Sequence, residues 1–490
     1  MSARKILSNT FIQIFGKVIT AVLSVVVIKA ITSLETIPGL GGIPAEYKLI
    51  YTYLAFFGIV ADFGLFTIAV REMSSAKTEE EQQFILGNIS GMRLFTITLA
   101  MALASLFIFL IPAENYTWTV KVGVAIAAIT TVFTMMASTI SSILQVHLKM
   151  TSATIALIIG KIIMTGYIGY VVWNFQTIPY AFYHLIFAGI LGSVVTYIMT
   201  VFYTHRFFPF TFRYNIPYWR KVFKEAFPYG LAIILSTIYF KIDVLILSFF
   251  RDKSEIAIYG YPSSIVELLS ILPIYFMNST LPTLTRAFEE SKEQVQKILR
   301  QAFNFLALIT FPIVMGGIVL ARPLMSFVMN ESFLTGNVSG YYGADLAFQL
   351  LLLPTLFAFL NTLFSFTLIA AGEQSKLLKI NFFGVLFNII ANLVFVPQYG
   401  FIASGVITII SELIIITLTY RECRKNIRIP FDYSSLAKIT FSAVVMGGFI
   451  YLARDSVGVI PLVGIGGLIY FFCILPFIAL NQEMMAIIKK

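Results

Sequence analysis

Apolar residues in this chain come in runs of about 20 or more, separated by short polar stretches. A helix needs about 20 such residues to cross a hydrocarbon core. Barrel strands are far shorter and alternate in polarity. The runs therefore predict helical spans at 8–33, 49–70, 86–111, 122–144, 153–174, 181–204, 227–250, 257–283, 301–320, 346–370, 380–396, 401–420, 439–452 and 459–480. The thirteenth is short. Segment 284–300 places Leu284, Phe288, Val295, Ile298 and Leu299 among charges. That spacing predicts an amphipathic continuation of the eighth span into the cytoplasm. The expected fold is an all-α integral membrane protein of about fourteen transmembrane helices, in two six-helix lobes plus two C-terminal helices.

Charge orients the spans. Lys48, Lys121, Arg251, Lys253, Arg322 and Arg454 fall in one set of loops, and Lys17, Lys29, Arg93, Lys161 and Lys241 fall inside spans. The remaining Lys and Arg, of 34 in total, lie in the other set of loops and at the ends. Positive charge collects on the cytoplasmic side, so both termini are expected there. The first apolar stretch is too long for a signal-peptide core and contains two lysines, so it is expected to stay as the first span.

Composition narrows the class. Hydrophobic residues make up 58% and charged residues 12%, against about 25% charged in soluble domains. Mean hydropathy is +0.88. A soluble enzyme or a disordered scaffold is excluded. The net charge of +10 follows from the cytoplasmic loops, and no nucleic-acid module is present. Cys423 and Cys473 are the only cysteines, and His147, His184 and His205 lie far apart. No metal or disulfide framework is expected. There is no phosphate-binding loop for ATP, no catalytic constellation and no resident cofactor, so the chain is read as a non-enzyme.

The basic, aromatic segment 205–226 divides a first lobe, 1–204, from a second, 227–422, followed by two additional helices in 423–490. Its mixture of Arg and Lys with Phe and Trp suits the headgroup boundary, with a docking surface for a partner as the other reading. Tyr51-Thr52-Tyr53 and Tyr259-Gly260-Tyr261 open the second span of each half, a weak echo of a parallel repeat. Such repeats commonly form two lobes about a central cavity. Pro262, Pro273, Pro282, Pro312 and Pro354 sit in or near spans of the second half. They can kink helices where neighbours satisfy the freed carbonyls.

Charges inside spans cost at least ~2.5 kcal/mol each at mid-bilayer and mark function by default. The acidic ones are Asp62, Asp243, Glu267 and Glu412. In the first span Asn9, Gln13, Gly16, Lys17, Thr20 and Ser24 recur at steps of three and four, forming one polar stripe. Lys17, Arg93 and Lys161 share a sign and a depth in the cytoplasmic half of their spans. Together with Lys241 and Gln13 they are the expected substrate-binding residues of a cationic cavity. Snorkelling toward the headgroups is the bland alternative. Lys241 and Asp243 are two residues apart, so on a regular helix they point in roughly opposite directions and cannot pair.

Several motifs occur in order along the chain: Lys5, Asn9-Thr10 and Gly16; Asp62-Phe63-Gly64-Leu65 with Arg71-Glu72; Asp243 with Tyr259; and Val396-Pro397-Gln398-Tyr399-Gly400 with Gly405 and Glu412. In this the chain resembles the polysaccharide (Wzx-type) flippases of the multidrug/oligosaccharidyl-lipid/polysaccharide exporter superfamily. The resemblance implies translocation of an undecaprenyl-diphosphate-linked oligosaccharide, such as an O-antigen, capsule or lipopolysaccharide repeat unit, across a bacterial inner membrane by alternating access. It further implies coupling to a proton or sodium gradient, with Asp243, Asp62 and Glu267 as coupling or gating groups. Membrane lipid and the polysaccharide polymerase machinery are the implied partners. The long first outer loop, with Gly39, Gly41 and Gly42, departs from the family's short turn. The alternatives are a drug/cation antiporter of the same superfamily, disfavoured by the interior cations, and the lipid II flippase, whose arginine-rich first spans are not matched. A membrane glycosyltransferase or ligase would need a larger outer loop than Ala321 to Asp345.

Overall fold

The computed structural model describes residues 3–37, 40–337, 342–429 and 431–479. The side chains of Asn9 and Ser236, and Lys489 and Lys490, lie outside the described residues. The described part is helical apart from short connections, and the chain divides into two compact units, Met1–Ile256 and Ala257–Lys490. Twelve helices among the described residues are long and apolar enough to cross a membrane.

The first unit contains α1 (Ala3–Thr32), α2 (Ile43–Asp62), α3 (Leu65–Ser75), α4 (Glu79–Leu110), α5 (Trp118–Val146), α6 (Met150–Trp173), α7 (Ala181–Phe207) and α8 (Ile216–Phe250). The sequence reads 49–70 as one span, but two left-handed residues, Phe63 (φ 44°) and Gly64 (φ 73°), separate α2 from α3. Thr78 starts α4 by accepting from the Glu81 amide at 3.2 Å, while the Glu81 carboxylate accepts from the Lys77 amide at 2.9 Å. This reciprocal cap satisfies two otherwise orphaned donors, and Glu79, Glu80 and Glu81 face the positive end of the helix dipole. Helices α6 and α7 meet backbone to backbone. A Cβ at Gly160 would lie 2.5 Å from the Gly192 carbonyl, and one at Gly192 2.7 Å from that of Gly160. Small residues permit this approach, as is common between membrane helices. Helix α1 lies on α6, where Gly16 meets Thr154. Helix α8 begins well inside the expected linker, so the non-helical connection shrinks to 208–215. It packs on α2 within the first unit, whereas the sequence places 227–250 in the second lobe.

Helix α9 (Lys253–Leu269) leads into the second unit, followed by α10 (Ile271–Glu290), α11 (Lys292–Val319), α12 (Ala321–Val328), α13 (Ala344–Ala370), α14 (Gln374–Asn426), α15 (Tyr433–Ala453) and α16 (Val459–Ala479). The continuous amphipathic helix expected over 284–300 is not formed. Ser291 is extended (φ −160°, ψ 148°) and its hydroxyl accepts from the Gln294 amide at 3.1 Å, ending α10 and capping α11. The hydrophobic positions that suggested one helix are shared between two packed ones: Leu284, Val295 and Leu299 enter a single core with Phe303, Leu363 and Ile427. Helix α15 packs on α11, and α16 packs on both.

A straight 53-residue helix would be about 80 Å long, against a hydrocarbon core of about 30 Å. Helix α14 has 53 residues but bends at Gly400 (φ 59°, ψ −145°) into arms 374–399 and 401–426. Only glycine adopts this backbone region without strain, which gives the Pro397–Gly400 motif a physical role. Gly400→Ala is expected to destabilise the protein by about 1–3 kcal/mol, read as a lower unfolding temperature in detergent. An unchanged transition would show that the bend tolerates a side chain.

Gly41, Gln294 and Asn337 are all exposed, so cysteines there report sidedness and not burial. In a background free of Cys423 and Cys473, an impermeant thiol reagent applied outside should reach residues 41 and 337 but not 294. Outside labelling at 294 would reverse the orientation drawn from the lysine pattern.

Candidate functional site

The break between α2 and α3 builds a charged site. Ending α2 at Asp62 leaves its last carbonyls without intrahelical partners. Arg93 of α4 takes one of them: Nη1 donates to the Ala61 carbonyl at 3.1 Å, Nε donates to Thr139 Oγ1 of α5 at 2.8 Å, and Nη2 pairs with Asp62 Oδ1. Arg93 is fully buried and the Asp62 side chain is 22% exposed. One guanidinium thus ties three helices at a helix break. The sequence treats Asp62 and Arg93 separately, and nothing in a single sequence marks the contact.

The same break meets α8. Phe63 stacks on Phe223, with ring centroids 5.1 Å apart and planes 9° apart, and a Cβ on Gly230 would come within 2.7 Å of its ring. Beyond the break, Arg71 pairs with Glu225, the Tyr218 hydroxyl donates to Glu72, and Lys221 lies 3.5 Å from Glu72. The connection before α8 is pinned to α4: the Arg213 amide donates to the Gly87 carbonyl (3.1 Å), the Asn215 amide to Asn88 Oδ1 (2.9 Å), and Trp219 Nε1 to the Asn88 carbonyl (3.0 Å). Gly87 and Gly91 allow this, because a Cβ at either would strike a carbonyl of residue 211 or 213 at 2.3 Å. The aromatic, basic segment is therefore a fixed structural element as well as a surface.

The opposite end of α8 is fastened too. Glu46 of α2 pairs with Lys253 at 2.5 Å and accepts from Thr117 at 3.2 Å. Asn115 donates to the carbonyls of Ser248 (2.8 Å) and Arg251 (2.6 Å). The Tyr116 hydroxyl lies 2.8 Å from that of Ser248. Burial pushes the Tyr116 phenol up to about 12, and the Ser248 contact offsets part of the shift. Glu46, Asn115 and Tyr116 carry no sequence signal beyond being polar or aromatic near helix ends.

The other expected site residues lie on α1, α6, α8 and α9. Lys161 on α6 is partly exposed, and among the described residues its ammonium reaches only the Met164 sulfur, at 3.9 Å. Lys17 is exposed on α1 and Gln13 partly so. The hydroxyls of the stripe turn back onto their own helix: Thr20 donates to the Lys17 carbonyl (3.0 Å) and Ser24 to that of Thr20 (2.9 Å). On α8, Asp243 is 4% exposed while Lys241 is partly exposed. Glu267 is exposed on α9.

A second polar cluster lies around the bend of α14. Asn392 donates to the Asn388 carbonyl (2.9 Å) and side chain (3.2 Å), Ser404 donates to Asn392 Oδ1 (2.9 Å), and Asn388 lies 3.5 Å from Ser411 Oγ. All four are fully buried, and Glu412 beside them is 5% exposed. The sequence signal for Asn388 and Asn392 is that two amides four residues apart in an apolar run share one face.

A family model described as polysaccharide biosynthesis protein matches residues 3–288, more than half of the sequence. The chain belongs to the polysaccharide biosynthesis protein family. The residues of this family's match include the α2–α3 break, its ion pair and the fastened α8. A second model, MatE, matches residues 228–394 of this polysaccharide biosynthesis protein. A probable low-salt glycan biosynthesis flippase, Agl15 of Haloferax volcanii, is 20% identical over 245 residues, 49% of this chain and 50% of that one. The chain spans about half the length of the curated relatives it matches. Among solved structures, the lipid II flippase MurJ in an inward closed conformation superposes with a TM-score of 0.70 at 18% identity, covering 96% of this chain and 99% of that one. An inward-facing multidrug resistance MATE transporter gives 0.64 at 11%, covering 84% and 95%. These likenesses show that the chain has the fold shared by MurJ and the MATE transporter.

Proposed function

We propose that this protein translocates a lipid-linked glycan across a prokaryotic cytoplasmic membrane. The finer form of the proposal is an undecaprenyl-diphosphate-linked repeat unit, moved from the inner to the outer leaflet of a bacterial membrane by alternating access and driven by a proton or sodium gradient. The observation that carries it is Lys161. An ammonium in an apolar helix, met among the described residues only by a thioether, is completed by an anionic ligand, and the phosphates of a polyprenyl carrier provide one. Relatives named as glycan flippases support the same substrate class.

Arg93 has a different place in this scheme. Three of its five N–H donors are held by Asp62, Thr139 and Ala61 and the side chain is fully buried, so contact with phosphate requires local movement at the α2–α3 break. Phosphate binding and movement of that break are thereby linked. Buried Asp243 and Glu412 are the groups we assign to ion coupling. Under this assignment Asp243→Asn, which removes charge and keeps shape, stops gradient-driven transport.

The MatE match over 228–394 favours a second reading, export of organic cations. The test is complementation of a strain lacking the protein. Restored surface glycan supports the flippase, whereas restored resistance to cationic dyes without surface glycan supports the antiporter.

A further inference from the structure

Residues 321–337, between α11 and α13, are not a plain loop. They hold α12 and a short 3-10 turn, Glu331–Phe333. Thr335 donates through its amide and hydroxyl to Asp345 Oδ1 (2.8 and 2.7 Å), and the Gly343 amide donates back to the Thr335 hydroxyl (2.9 Å). Asn337 donates to the Glu331 carbonyl (2.9 Å), and Arg322 Nη1 to that of Thr335 (3.1 Å). The result is a hydrogen-bonded structure at one end of the second unit. Beside it is an open groove of about 540 Å³, lined among others by Arg322, Glu331, Gln349, Tyr451, Arg454 and Asp455. The volume suits a small organic ligand, and the lysine pattern places this end of the unit outside.

The lining decides the ligand class. Two guanidiniums are balanced by two carboxylates, so the groove has no net attraction for an anion, and a phosphate or diphosphate would meet Glu331 and Asp455 as well as the arginines. Arg454 lies over the Tyr451 ring at 4.2 Å and 3.7 Å from Asp455. Gln349 Nε2 donates to the Ile318 carbonyl at 3.0 Å, which leaves its amide oxygen as an acceptor. Among the described residues Arg322 makes the single bond to Thr335, and its remaining N–H groups are donors to a ligand. Donors and acceptors in one lining beside an aromatic ring match hydroxyl groups, each of which both donates and accepts.

We infer that this groove is a saccharide site, which takes two or three neutral sugar units at the outer face. It rests on the glycan-flippase reading, and extends it by giving the exported sugar a contact distinct from that of the lipid phosphates.

The test is saturation-transfer NMR on the full chain in detergent, with maltotriose, chitotriose and mannotriose as probes and inorganic pyrophosphate as competitor. At least one trisaccharide should give a saturable signal that Arg322→Gln and Glu331→Gln each reduce at least fivefold and that pyrophosphate leaves unchanged. Both positions are exposed, and an unchanged melting temperature establishes that the variants fold. Silence from all three sugars, an undiminished signal in both variants, or displacement by pyrophosphate overturns the site. Vesicle translocation by the same preparations separates the two readings. Sugar binding without lipid movement keeps the site and loses the flippase, and the converse keeps the flippase alone.

Discussion

Arg93→Ala is expected to destabilise the protein by about 3–5 kcal/mol, the range for removing one partner of a buried ion pair. Arg93 is fully buried, and its guanidinium is bonded to a carboxylate, a hydroxyl and a carbonyl on two other helices. Alanine would leave Asp62, Thr139 and the Ala61 carbonyl without their donor at the end of α2, and would open a cavity among α2, α4 and α5. Arg93→Lys should recover only part of the loss, because a single ammonium cannot reproduce a planar fork with three directed bonds. The double variant Asp62→Leu/Arg93→Met removes both charges and fills the volume, and should be close to the parent in stability. Thermal unfolding in detergent reads all three. A loss below about 1 kcal/mol for Arg93→Ala would show that the pair behaves as a surface contact and holds no helix in place.

Lys161→Met should act in the opposite way. No carboxylate pairs with Lys161 among the described residues, so the cation is a liability in the resting protein, at ~2.5 kcal/mol or more if it lies at mid-bilayer. Methionine preserves length and removes charge, so stability should hold or rise. Translocation should fall by on the order of 10–100-fold, since a charge-assisted hydrogen bond contributes about 1.5–3 kcal/mol and each 1.4 kcal/mol is tenfold. Lys161→Arg keeps the charge and should lie between. Stability and transport moving in opposite directions separates a ligand contact from a structural lysine. Parallel loss of both would make Lys161 part of the fold.

The helices were legible because membrane spans are written in length and polarity alone, and most boundaries follow from where apolar runs stop. What failed to show were breaks produced by single residues. Ser291 divides one amphipathic pattern into two helices, and Phe63 in a left-handed conformation ends α2 inside what reads as a single span. The start of α8 was hidden because 216–226 is polar enough to read as a loop, while its helix is stabilised by the Asn215 cap and by the pairs to Arg71 and Glu72. Charges inside spans were visible one by one. Their partners were not: Asp62 with Arg93 and Glu46 with Lys253 join residues far apart in sequence, and periodicity carries no information about which helices meet. The contact that ties residues 321–337 to the start of α13 was hidden for the same reason, since it comes from Asp345 reaching back to Thr335.

The central claim is that the chain moves a phosphate-linked glycan lipid and that Lys161 receives the phosphate. The direct measurement uses purified protein in sealed vesicles containing a fluorescent polyprenyl-diphosphate-linked oligosaccharide. A membrane-impermeant lectin scores the glycan on the outer surface with and without an imposed ion gradient. The account predicts gradient-dependent appearance of glycan outside with the parent chain and at least tenfold slower appearance with Lys161→Met at equal protein. Equal rates for Lys161→Met and parent, or no movement of the glycan lipid by a folded parent chain, would contradict it.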